Sequence, residues 1–231
     1  MHRRLTVFVL LTLTIFLSRA SAEASGQTGP QFTVSVYNDA GVPAAVLDRA
    51  EQRSGSIFAR ANLEVVWLNC TQASTEDALV CNQIDLPGHL ALRIIPHAAS
   101  SMSDAAFGVA FLSPDGAGKY ADVFWTRAED LQVTSKLDLG GLLGSVMAHE
   151  LGHLLIGSNA HAVSGIMRAR WEGEELRRIA MGNLLFTAQQ AKLMHAKARL
   201  RESAEHSVEP QTTEQLGLET SNLREAPSRL F

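Results

Sequence analysis

The sequence is poor in cysteine, with only Cys70 and Cys81 among 231 residues. The ten residues between them, TQASTEDALV, contain no histidine, which speaks against a metal site there. In an oxidising compartment an even pair reads as one disulfide. It would close a short polar loop and contribute about 2–3 kcal/mol in an entropy model. Positive charge is not in excess either. Twenty Lys and Arg stand against 24 Asp and Glu, a net charge of −4, so the chain has no electrostatic reason to bind nucleic acid. There is no internal repeat. Beyond the first 17 residues, no second apolar run reads as long enough to span a bilayer.

What is present begins with a basic start, His2-Arg3-Arg4, then an apolar run from Leu5 to Leu17 and the small residues Ala20-Ser21-Ala22. This is the pattern of a secretory signal peptide over 1–22. It predicts a secreted or periplasmic protein with no stable membrane insertion after cleavage. Loss of Arg3, Arg4 and Arg19 takes the positive count from 20 to 17 against 24 acids, so the net charge moves from −4 to −7. Residues 23–30 are small and polar, a linker. Residues 202–231 are polar without a sustained apolar period and read as a disordered tail. The segment between, 31–201, is long enough for one domain with its own core.

Within that domain, Phe32–Tyr37, Leu63–Leu68, Leu90–Ile95, Ala106–Leu112 and Tyr120–Trp125 have strand character. A helix is expected from Pro43 to about Ala61, and a short helix and loop over Ala128–Leu139. Thr187-Ala188-Gln189-Gln190 reads as a capping box opening a final helix.

The chemistry is concentrated in Leu142–Gly157, LLGSVMAHELGHLLIG. His149 and His153 are four apart and meet on one helix face, with Glu150 beside them, an H-E-x-x-H pattern. Two neutral nitrogen donors next to a carboxylate suit Zn²⁺ with a further ligand and a water. The carboxylate can take the proton of that water as it attacks a carbonyl. The apolar flanks Val146, Met147, Leu151, Leu154 and Leu155 bury the helix, so the ionisable trio needs a partner. Gly157 can end the helix in a left-handed conformation, and His161 follows four residues later.

Over about Leu142–Trp171 the chain resembles the metzincin zinc peptidases, whose pattern is H-E-x-x-H-x-x-G-x-x-H followed by a turn with a Met beneath the metal. The resemblance implies His149, His153 and His161 as metal ligands, Glu150 as general base and Met167 as the residue of the Met-turn. It also implies an α+β, zincin-like fold: a mixed twisted sheet of about five strands over the active-site helix, then the Met-turn and a C-terminal helix. Protein or peptide substrates would pair with an edge strand, for which Ala106–Leu112 is the candidate. The segment after Met167 would wall the pocket, with Arg168, Arg170 or Trp171 shaping specificity. The chain departs from the pattern: Gly157 is one residue late, His161 two, and Asn159 stands at the family's ligand position. A carboxylate from a later helix, Glu172, Glu174 or Glu175, is the alternative third ligand.

Two functions fit this reading. One is an exported zinc-dependent endopeptidase. The other is a catalytically silent zincin-fold module that holds zinc or a partner, although Glu150 has no purpose in a purely structural site. The remaining His89, His97, His195 and His206 read as surface or hydrogen-bonded side chains.

Overall fold

The computed structural model describes residues 29–71, 75–83, 85–86, 88–100, 102 and 106–206. The expected signal peptide, and the expected tail beyond residue 206, lie outside the described residues. Among the described residues eleven elements follow one another: β1 (Gln31–Asn38), α1 (Ala44–Arg60), β2 (Glu64–Asn69), α2 (Thr75–Cys81), β3 (His89–Ile95), β4 (Gly108–Phe111), β5 (Tyr120–Phe124), α3 (Trp125–Ser135), α4 (Leu139–Ile156), α5 (Gly173–Ala180) and α6 (Ala188–His206). The result is an α+β fold with one five-stranded mixed sheet of order β2-β1-β3-β5-β4. The first three pairings are parallel, and β4 runs antiparallel to β5 at the edge.

Alternation along the strands sends Val34 and Val36 of β1 and Leu90, Leu92 and Ile94 of β3 to one face, where all are fully buried. They pack against Ile57 and Phe58 of α1 and against α4. Ser35 and Tyr37 point to the other face and donate to the Cys81 carbonyl at 3.4 and 3.1 Å. That face is covered there by the segment the disulfide closes. Cys70 and Cys81 are bonded, with Cα atoms 5.8 Å apart. The segment between them is not only a loop: it contains α2.

Helix α4 is the hub of the domain. Leu142, Leu143, Met147, Leu151, Leu154 and Leu155 are all fully buried. By length and composition it could cross a membrane, contrary to the sequence expectation, but 83% of it is buried inside the protein and it serves as the core helix. Asp138 caps it, its carboxylate accepting from Gly141 N at 2.9 Å. The helix starts three residues before Leu142. Gly140 and Gly144, which look like helix breakers, are there because α1 passes close by: a Cβ on Gly144 would lie 2.3 Å from the Ala50 carbonyl oxygen.

Other boundaries shift for similar reasons. β5 passes into α3 at Trp125 without a loop, so Trp125 is helical rather than the end of a strand. α3 stops where Lys136 turns left-handed at φ 59°. β4 is shorter than Ala106–Leu112, and α6 extends through residues 202–206 of the expected tail.

Candidate metal centre

The last two turns of α4 put His149 and His153 on one face, and both are buried. Their outer nitrogens have backbone partners: His149 Nδ1 lies 2.7 Å from the Ile166 carbonyl oxygen and His153 Nδ1 lies 2.7 Å from that of Ser158. A carbonyl only accepts, so each Nδ1 carries the proton and each Nε2 presents a lone pair. The two Nε2 atoms are 3.1 Å apart. Burial, and then the neighbouring His153 and His161 rings, push His149 down to about 3. Burial followed by His161 lowers His153 as well. Burial thus disfavours a second proton on either ring, and two Nε2 lone pairs face each other without a hydrogen between them.

A cation resolves that conflict. Two nitrogen ligands at ~2.0–2.1 Å from a tetrahedral ion sit roughly 3.3 Å apart, close to the separation found. The chain supplies a third donor. α4 ends at Gly157, left-handed at φ 71°, and its N–H closes on His153 O. The following loop brings in His161, whose ring centroid lies 5.4 Å from that of His149 and 5.0 Å from that of His153. One nitrogen from each of the three rings lies within 4.8 Å of the others. A set of three imidazoles suits zinc.

The two-residue lateness of His161 is taken up locally. Ser158 Oγ accepts from Ala160 N at 3.1 Å, while its carbonyl holds His153. Beyond His161 the chain folds back, Ala162 N bonding Met167 O at 2.8 Å and Arg168 N bonding Gly165 O at 3.2 Å. This turn carries Met167, 1% exposed, under the helix. A Cβ on Gly152, between the two helical histidines, would lie 2.8 Å from the Met167 sulfur and 2.7 Å from Phe186 Cε1. Gly152 is what lets Met167 approach.

The three alternative carboxylates are engaged elsewhere. Glu172 caps α5 in a capping box with Glu175. Glu174 pairs with Arg177 and Arg178 at 2.7 and 2.9 Å. Glu175 Oε1 binds Arg168 Nη1 at 2.7 Å and its Oε2 accepts Glu172 N at 3.2 Å. None lines the cavity beside the histidines. His97 does not line it either and contacts Thr126.

That cavity, of about 320 Å³, is bounded by β4, the three histidines and the segment 168–171. Glu150 opens into it, 5% exposed. Burial raises its pKa to about 8 in the metal-free chain, and a bound cation would draw it back down. A Cβ on Gly108 would lie 2.6 Å from Glu150 Cγ, so the edge strand touches the carboxylate's stem. Glycine inside a strand pattern signals such a close approach. Phe107 and Trp171 stack across the cavity with centroids 6.2 Å apart and planes at 15°. Trp171 Nε1 also donates to Ile166 O at 3.2 Å, the same oxygen that holds His149. The two carbonyls and this aromatic contact have no sequence signature.

No protein-family model and no curated protein matches the sequence. Among solved structures the chain is similar to a zinc-dependent peptidase from Methanocorpusculum labreanum (strain Z). The two share 16% sequence identity with a TM-score of 0.48, over 70% of this chain and 99% of that one. At that distance the likeness carries no weight for the chemistry of this chain, which rests on its own residues.

Proposed function

We propose that this chain is an exported zinc-dependent endopeptidase. The observation that carries the reading is the pair of opposed, unprotonated Nε2 atoms of His149 and His153, with His161 beside them and Glu150 at the mouth of the same cavity. On this reading His149, His153 and His161 hold the ion, and Ile166 O and Ser158 O fix two of the rings through their Nδ1 protons. A zinc ion held there supplies a more acidic water and polarisation of a carbonyl oxygen. Glu150 accepts a proton from the attacking water and returns it to the leaving nitrogen. Among the described residues it is the only carboxylate lining the cavity.

β4 supplies substrate alignment. It is the last strand of the sheet and its residues 108–110 line the cavity, so an extended peptide laid along it would continue the sheet. Met167 fills the Met-turn position of the metzincin resemblance. The peptidase domain spans about 31–201, preceded by a signal peptide over 1–22 that directs the chain to a periplasm or the exterior.

The test is chelator-sensitive cleavage of casein or a peptide library, compared between parent and Glu150→Gln. The variant is expected to keep its zinc and lose roughly 10²–10⁴-fold in rate. Cleavage at the parent rate would remove Glu150 from the mechanism. A zinc-loaded parent that cleaves nothing would remove the enzyme.

A further inference from the structure

The cavity beside the histidines is walled mostly by carbon, from Phe107, Val109, Val146 and Trp171. Binding cavities of this kind take their specificity from the few charged groups that interrupt the apolar lining. Among the described residues two cationic ones line it, Arg168 and Arg170. Arg168 is committed to Glu175 at 2.7 Å. Glu175 is held in turn by the α5 cap, so that pair is fixed. Arg170 is exposed and pairs with no carboxylate among the described residues. The adjacent residue, Trp171, contacts the His149 ring at 5.7 Å. The guanidinium therefore starts one residue from a side chain that touches the metal-site histidine, and among the described residues no acid other than Glu150 lines the cavity.

We propose that this cavity is a subsite for a substrate carboxylate held by Arg170. Preferred substrates then carry either an acidic side chain or a free α-carboxylate next to the bond that is cut. The inference rests on the peptidase reading for the word substrate, but not for the binding. A guanidinium matches a carboxylate in a two-pronged geometry. Beside an apolar wall the attraction is stronger than in bulk water. The chain as a whole is acidic, at −4, so any preference for anions must arise locally.

The test measures affinity on full-length Glu150→Gln chain, both zinc-loaded and metal-free. The probes are N-acetylated hexapeptides in matched pairs. One pair differs only by Glu or Gln at an internal position, the other only by a free or amidated C-terminus. At least one acidic partner is expected to bind roughly tenfold tighter than its neutral twin, with metal removed as well as present. The gap should close in Arg170→Met and partly return in Arg170→Lys. A gap confined to the Glu/Gln pair identifies an internal acidic residue, and one confined to the terminal pair identifies a chain end; both support the subsite. Equal affinities in both pairs, or a gap that survives Arg170→Met, would overturn it. Since the test reads binding and not turnover, loss of the peptidase reading leaves this result separately measurable.

Discussion

His89 in β3 and His149 in α4 are both buried histidines, and their surroundings give them opposite tasks. At 3% exposure His89 places Nε2 2.8 Å from Ser35 Oγ, and the Gln83 backbone bonds the ring as well. Burial lowers its pKa, yet each of these contacts is answered from within the protein. It ties β1 and β3 to the stretch that follows Cys81. His149 has one nitrogen answered, by Ile166 O, while the other faces a second lone pair. Burial alone does not mark a functional histidine; the lone pair that the protein leaves without a proton does.

The largest effect expected from this contrast is on metal affinity. His149→Ala or His153→Ala should weaken zinc binding by more than the roughly 10–100-fold that follows loss of an outer hydrogen-bond partner. Zinc titration against a competing chelator measures it. Unchanged affinity would put His149 in the same class as His89.

Gly152→Ala comes next. Its Cβ would press on Met167 and Phe186, both within 2.8 Å. Overpacking of this kind costs about 1–3 kcal/mol, read as a lower denaturation midpoint, and the shift of α4 should weaken zinc binding too. His89→Leu should cost a similar ~1–3 kcal/mol by removing the hydrogen bonds that the ring makes with Ser35 Oγ and the Gln83 backbone, but leave zinc affinity untouched. Loss of zinc there would collapse the distinction between the two histidines.

The smallest effect concerns a buried polar atom with no hydrogen-bond partner among the described residues. Glu51 Oε1 is buried and unbonded. Burial, then Asp48, raises its pKa from 4.5 to about 7. A raised folded-state pKa gives stability that is complete below the unfolded value and is lost as pH climbs through the folded one. Glu51→Gln removes that loss. The Tm of the variant minus that of the parent should therefore grow between about pH 5 and about pH 8. A difference that stays flat would contradict the assignment.

The parts of this protein legible in its sequence are those set by local chemistry. Strand character marked β1, β2 and β3, the H-E-x-x-H spacing marked the metal face of α4, and Thr187 announced a cap that the structure contains. Gly157 and His161 could be paired because a left-handed glycine turns the chain. The rest depends on tertiary contact. Gly140 and Gly144 look like helix breakers until α1 is seen against them. Glu172, Glu174 and Glu175 were plausible ligands until the α5 cap and three arginines claimed them. Ile166 O and Ser158 O, which set the tautomers, are backbone atoms without residue identity. Trp125 looked like the end of a strand because nothing in its own side chain signals that β5 runs straight into α3.

The central claim is that three imidazoles of this chain share one ion. X-ray absorption at the zinc edge on the purified, zinc-loaded protein addresses it directly. The account predicts one zinc per chain with three imidazoles and one oxygen ligand at roughly 2.0–2.1 Å, falling to two imidazoles in His161→Ala. A spectrum with two imidazoles and a protein carboxylate in the parent, or one unchanged by His161→Ala, would contradict it.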